Sequence, residues 1–393
     1  MSRIAHRVSL CALRNTPAEY VPKLTDPVAP CIRAVSRAKC GSVRPVGTDL
    51  ANAAADRIRN LHTNSPKPAS TMKLKSLLTS ALALAFAISA HAEPLKIGYS
   101  DWPGWTAWEI AKEKGFFKKH GVDVKLVWFP IYTDSLTALN TGKLDANCQT
   151  WSDTIPPLAE GIKLKVVLAN DNSAGNDGFV AKKEFKTIKS LKGKTVATEL
   201  GTVDHFLLLQ ALAKNGMTDK DIVFKNMTVP DAAAAFRQGK LDAAVIWQPS
   251  LNDVMKEGKA NLLFTSKDVP GLIPDLLVFQ TKVATKRAAD IQKVVAAWFD
   301  VIEFINKNED EAVKIMAKVV EQKPEDYKAF LPGTKFFDLK ANLKAFKKDD
   351  ADVHSLYGSG KIISDFLVQT GLMKKVPDYA GALDATFVEA AKK

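Results

Sequence analysis

Beyond residue 92, this 393-residue chain holds one cysteine (Cys148), two arginines (Arg237 and Arg287) and three histidines (His120, His205 and His354). A single cysteine excludes an internal disulfide there, so a hydrophobic core must hold the structure together. The stretch is long enough to build one. The histidines show no H-x-x-x-H spacing and no C-x-x-C accompanies them, so a metal site is not expected. There is no G-x-S-x-G segment and no phosphate loop, so the known catalytic signatures are missing as well. No cofactor is expected. Leu77 to Ala90 is apolar or small throughout, but it is too short to span a bilayer.

That apolar run belongs to a targeting signal. Met72-Lys-Leu-Lys75 is a basic head, and Ala90-His-Ala92 before Glu93 fits an A-x-A cleavage site, so residues 72–92 read as a secretory signal peptide. No cysteine follows the cleavage site, which argues for a soluble exported product without a lipid anchor. Residues 1–71 carry 11 Lys/Arg against 4 Asp/Glu and no apolar period. They read as an upstream extension before the true initiator, Met72, or else as a basic disordered leader. Without both segments the formal charge falls from +12 to about +3, from 42 Lys/Arg against 39 Asp/Glu. The basic balance of the whole chain therefore gives no reason to expect nucleic-acid binding.

What the remaining stretch does contain is a repeat. Gly142-Lys-Leu-Asp-Ala146 and Gly239-Lys-Leu-Asp-Ala243 are identical. Each follows a helical pattern, stops it at glycine and opens a short apolar strand. Two such αβ units predict two similar α/β lobes with a cleft between them. Strands are expected at Leu95–Tyr99, Val122–Trp128, Ala146–Gln149, Leu164–Ala169, Thr195–Thr198, Ile222–Phe224, Ala243–Trp247 and Leu276–Gln280. Helices are expected at Val203–Asn215, Pro230–Gln238 and Lys286–Asn306. The polar run Asn170–Gly178 reads as a loop and a candidate hinge. The expected division is lobe 1 over 93–177 and 273–393, and lobe 2 over 178–272.

The run Lys96-Ile-Gly-Tyr, then Ile110-Ala-Lys-Glu-Lys-Gly-Phe-Phe117, Gly121-Val-Asp-Val and Leu191-Lys-Gly-Lys-Thr-Val, together with both repeats, resembles periplasmic substrate-binding proteins of nitrate/sulfonate/taurine-type ABC transporters. The resemblance implies a two-lobed type II periplasmic-binding fold, each lobe a mostly parallel sheet flanked by helices. It implies a periplasmic receptor, expected to be monomeric, that delivers a small molecule to an inner-membrane permease with its ATPase. A relative on the same fold makes a thiamine-pyrimidine precursor, using a histidine and a cysteine-rich motif. With Cys148 alone, no enzyme is expected here. A sensor that signals through the same clamshell is a further alternative.

In such sheets ligands sit beyond the carboxyl ends of the strands. Five segments qualify. Trp102 and Trp105 flank a Pro-Gly turn, as cleft aromatics or as core. Gln149, Thr150, Trp151 and Asp153 end one repeat strand, Asp153 being also a candidate helix cap. Asp171, Asn176 and Asp177 lie in the hinge run, where turn chemistry is the alternative. Glu199, Thr202, Asp204 and His205 lie in a loop that the family resemblance marks for ligand contact. Helix amides and Thr202 could there receive an anion, while Asp204 and His205 could cap instead. Trp247 and Gln248 end the second repeat strand, opposite Thr150. The family's usual ligands are anions. Carboxylates and tryptophans in these loops, with arginine scarce, suit a cation or a neutral nitrogen-rich solute instead. The runs Asp171-Asn-Ser-Ala-Gly-Asn-Asp-Gly178 and Val203-Asp-His205 resemble family members of urea-carboxylase-type transport loci, which implies a urea- or guanidine-like or other cationic nitrogenous ligand.

Overall fold

The computed structural model describes residues 93–392; the expected leader and signal peptide lie outside the described residues. The chain lays down β1 (Leu95–Tyr99), β2 (Val124–Trp128), β3 (Ala146–Thr150) and β4 (Leu164–Ser173) in one sheet. It then builds a second sheet from β5 (Asp177–Lys182), β6 (Thr195–Thr198), β7 (Val223–Asn226), β8 (Ala243–Trp247) and β9 (Ala260–Thr265). Finally it returns to the first with β10 (Pro274–Gln280) and β11 (Thr334–Phe336). The strand orders are β11-β4-β10-β3-β1-β2 and β7-β6-β8-β5-β9. Apart from the extra edge strand β11, the lobes match strand for strand, β1 with β6, β2 with β7, β3 with β8, β10 with β5 and β4 with β9.

The repeat explains the match. In each copy a helix, Tyr132–Asn140 or Val229–Arg237, runs out just before a glycine with positive φ, +79° at Gly142 and +75° at Gly239. That left-handed turn suits glycine. The following leucine, Leu144 or Leu241, is buried. The aspartate then clamps the first strand of its lobe. Lys96 N donates to Asp145 Oδ2 at 2.9 Å, and Thr195 N donates to Asp242 Oδ2 at 3.0 Å. The same five residues therefore set the register of β3 beside β1 and of β8 beside β6.

Two expectations need correction. The sheets are mixed rather than mostly parallel: β1, β2 and β3 run parallel, as do β6, β7 and β8, but β10 is antiparallel to β3 and β4, and β5 to β8 and β9. The reason lies in the crossings, because β5 and β10 enter their sheets at the end where β8 and β3 finish. The polar run 170–178 is also not a loop. Strand β4 continues to Ser173 and β5 starts at Asp177, because β10 and β11 hydrogen-bond to the extension through Asp275↔Asp171 and Thr334↔Ser173. Asp171 and Asp177 of this run stand at the cleft, and Ser173 and Asn176 are buried and hydrogen-bonded within the protein rather than solvated.

Helices cover the outer faces. The longest, Ala288–Lys307, turns Ile291, Val294, Val295, Trp298 and Val301 inward, and Trp298 meets Trp108 at 4.8 Å between ring centroids. That spacing of apolar residues is the helical stripe the sequence carries. No helix among the described residues is long and apolar enough to cross a membrane.

Candidate functional site

The ends of β3 and β8 open onto one small cavity, of about 10 Å³, shared by the two lobes. Trp102, Trp105, Tyr132, Thr150, Ile273 and Asp275 line it from one side, and Asp177, Val203 and Trp247 from the other. This is far below the roughly 300–1,000 Å³ of pockets for drug-sized ligands and leaves room for about one water, so a small solute enters only when the lobes part. A larger groove, lined by Asn172, Lys267, Lys335 and His354 among others, contains no carboxylate and takes no residue from the ends of β3 and β8. The inter-lobe cavity is therefore the candidate site.

The two lobes contribute corresponding positions. Thr150, the last residue of β3, pairs with Asp275 of the incoming β10. Trp247, the last residue of β8, pairs with Asp177 of the incoming β5. Each crossing strand thus carries an aspartate into the cavity beside the end of a repeat strand. The corresponding strand ends differ, with a hydroxyl on one side and an indole on the other.

Hydrogen bonds join the lobes across the cavity. Trp247 Nε1 donates to Asp101 Oδ1 at 2.9 Å, Val203 N to Asp153 Oδ2 at 3.2 Å, and Thr133 Oγ1 to Glu199 Oε1 at 2.6 Å. Trp247 also meets Tyr132 edge-to-face at 5.7 Å. On the floor, Trp102 Nε1 donates to Asp171 Oδ1 at 3.0 Å, and Trp105 stands 5.1 Å from Tyr132. Gly104 lets the Trp102–Trp105 turn approach this carboxylate, since a Cβ there would fall 1.7 Å from Asp171 Oδ2. Trp105 Nε1 finds no protein acceptor.

The electrostatics are one-sided. Asp153, Asp171, Asp177, Asp204, Asp275 and Glu199 are all buried at or around the cavity, and Asp101 is partly so. No lysine or arginine lines it. Burial pushes Asp101, Asp153, Asp171 and Asp177 up to about 7, against the hydrogen bonds they accept. Asp204 and Asp275 are held well above the usual carboxylate range, by burial first and by neighbouring carboxylates second. Asp171 and Asp275 are in hydrogen-bond contact, and so are Asp177 and Asp204, which requires a proton within each pair. Apart from those shared protons, no protein N–H or O–H reaches either oxygen of Asp204 or the Oδ2 atoms of Asp171 and Asp275.

Several residues singled out from sequence do other work. Trp151 points into the helical layer, donating from Nε1 to Leu356 O at 2.9 Å. Gln149 is spent within its own strand and helix, bonding Thr154 Oγ1 and Asn147 Nδ2. Asn176 ties the crossing to the C-terminal segment through Phe330 O and Thr334 Oγ1, both at 2.9 Å. Gln248 caps the helix Ser250–Lys256 by accepting from Asn252 N. His205 accepts from Gly201 N and stacks near Phe224, with burial lowering its pKa. Thr202 donates to Glu199 O, so its hydroxyl is not free for an anion. Asp153 does not cap its own helix, a task Thr150 performs; it accepts instead from the first amide of the other lobe's helix Val203–Lys214. Asp204 caps nothing. Of the expected residues, Trp102, Trp105, Thr150, Asp177 and Trp247 line the cavity. Asp153, Asp171, Glu199 and Asp204 surround it as buried carboxylates.

Tyr132, Val203, Ile273 and Asp275 line the cavity without having been expected there. Asp275 had one signal, an acid opening an otherwise apolar strand. Tyr132 sits at the first position of a repeat helix, whose counterpart in the other lobe is Val229. Only its aromatic character marks it.

Two lobes of matching topology with a cavity between them define a two-lobed α/β protein of the periplasmic-binding-protein fold. The sequence model of the family described as NMT1/THI5 like matches residues 102–312, and the chain belongs to that family. It is similar to the alkanesulfonate-binding protein SsuA from Xanthomonas axonopodis pv. citri, solved bound to MOPS. The TM-score is 0.65 at 22% identity, covering 76% of this chain and 100% of that one. The aliphatic sulphonate binding protein SsuA from Escherichia coli superposes with a TM-score of 0.62 at 25% identity, over 74% and 97% of the two chains. The taurine-binding periplasmic protein of Escherichia coli (strain K12) is 27% identical over 193 residues, 48% of this chain and 59% of that protein.

Proposed function

We propose that this protein is a periplasmic solute receptor. It captures a small molecule between its lobes and delivers it to an inner-membrane ABC permease with its ATPase, acting as a monomer after export by the signal in residues 72–92. The observation that carries this reading is a cavity whose walls come from both lobes and whose rim is hydrogen-bonded across them through Trp247–Asp101 and Asp153–Val203. A solute held there contacts both walls and favours the closed arrangement over an open one, which is what a lobe-closing receptor requires. Likeness to sulfonate- and taurine-binding proteins supports the receptor class and makes sulfonate- and taurine-like molecules the first ligands to try.

A thermal-shift panel of ethanesulfonate, taurine, nitrate, urea, guanidinium and choline tests the reading on the purified chain. A ligand that binds only the folded state raises the melting temperature in proportion to the logarithm of its concentration over Kd. A saturable rise with one compound class is expected. No rise with any of them contradicts a small-solute receptor of this kind.

A further inference from the structure

The chemistry of the cavity narrows the ligand further, on the basis of the receptor reading above. We propose that the site takes a compact organic cation bearing several N–H donors, of the ammonium, amidinium or guanidinium kind, held between the Asp177 and Asp275 carboxylates and against the rings of Trp102, Trp105 and Trp247.

Free hydrogen-bonding capacity carries the argument. Apart from the proton that each carboxyl pair shares, no protein donor reaches Oδ2 of Asp275 in the lining, or Oδ2 of Asp171 and both oxygens of Asp204 around it. Against them stands one free donor in the lining, Trp105 Nε1. Buried acceptors left unmatched are costly, and a ligand rich in N–H groups supplies what the protein does not. A quaternary ammonium would match the charge but bring no donors. A metal ion would need three or more ligating groups converging on a point, and no such group exists among the described residues.

Two of the donors that an anion would use are already engaged. The first amide of the helix Val203–Lys214 donates to Asp153, and the Thr202 hydroxyl donates to Glu199 O. An anion would therefore have to displace a carboxylate while facing the remaining ones. The aromatic rings of the lining attract a cation through the ring quadrupole. The shared protons of the Asp171–Asp275 and Asp177–Asp204 pairs stand in for positive charge when the site holds only protein. Entry of a cation sends protons to solvent.

The test is calorimetric titration of the full-length chain at pH 7 with guanidinium, acetamidinium, ethylammonium, taurine and ethanesulfonate, in two buffers of different ionisation heat. At least one cationic probe should bind saturably, with proton release. D275N should weaken that binding tenfold or more, while its melting temperature stays at or above the wild-type value. The carboxamide that D275N introduces would still donate to Asp171, so the fold has its hydrogen bond and the charge alone is lost. D177N provides the second variant. Taurine supports the proposal if D275N weakens it tenfold, because its ammonium is then the recognised group; taurine indifferent to D275N counts against it. Binding of ethanesulfonate without any cation overturns the proposal but leaves the receptor reading standing. No saturable binding by any probe overturns both.

Discussion

The two lobes are built on the same five residues, yet their repeat strands end differently. In both, the G-K-L-D-A segment turns at a positive-φ glycine, buries a leucine and clamps the neighbouring strand with an aspartate. Just past the shared alanine the copies part. Strand β3 proceeds through Asn147, Cys148, Gln149 and Thr150, and β8 through Ala244, Val245, Ile246 and Trp247. The polar residues of β3 bond within their own lobe, Asn147 Nδ2 to Ser135 Oγ at 3.0 Å and Gln149 Nε2 to Thr154 Oγ1 at 2.9 Å. The apolar β8 instead sends its terminal indole across the cleft to Asp101. Scaffold duties therefore repeat while cleft duties diverge, and the repeat locates the cleft without specifying its ligand.

The comparison breaks most visibly if the matched scaffold positions behave differently. Leu144→Ala and Leu241→Ala each remove a buried side chain at the same place in their lobes. Each should cost about 2–5 kcal/mol in a denaturant titration. A cost in one and none in the other would mean that the repeat does not do the same work twice.

The carboxylates of both lobes predict a pH response next in size. Asp153, Asp171 and Asp177 stand at about 7 in the folded chain against an ordinary 3.8. The folded state therefore holds more protons than the unfolded state between those values, and stability falls as pH rises through that window, then levels above it. The slope is roughly 1.4 kcal/mol per pH unit for a single such carboxyl. Melting curves of the ligand-free protein at pH 5, 6, 7 and 8 should decline in that order. A rising series would show that these acids are ionised and compensated.

Gly142→Ala and Gly239→Ala sharpen the same comparison at smaller scale. Both positions have left-handed backbone, which costs an L-residue roughly 1–2 kcal/mol, and no atom crowds an added Cβ closer than 3.5 Å at either. Equal losses are expected by thermal melts. The smallest effect is confined to binding. Trp247→Ala removes the indole that reaches across the cleft and Trp102→Ala the one that holds Asp171. Each should weaken ligand at least tenfold, about 1.4 kcal/mol, in a fluorescence titration of protein still folded by circular dichroism. Unchanged affinity in both would dismiss the cleft as the site.

Much of the architecture was legible because it rests on periodicity and turn chemistry. The helix over 203–214 and the strands at 195–198 and 243–247 appear within a residue of where the pattern puts them. The polar run 170–178 misled for a physical reason: composition reports polarity, and a buried cleft wall is as polar as a solvated loop. Trp151 and Gln149 stood at the right strand end but on the wrong side of it, since successive residues at a strand terminus face opposite ways. Asp275 was hidden because its neighbour, Asp171, lies far back in the chain and only the pairing of β10 with β4 joins them. No local signal carries such a contact.

The central claim is that both lobes grip one cationic solute, each through the aspartate its crossing strand brings in. Titration of guanidinium into the wild-type chain, D177N, D275N and the double variant tests it most directly. The account predicts that each single change weakens binding tenfold or more and that the double variant binds no better than either. Wild-type affinity in either single variant would contradict a site shared between the lobes.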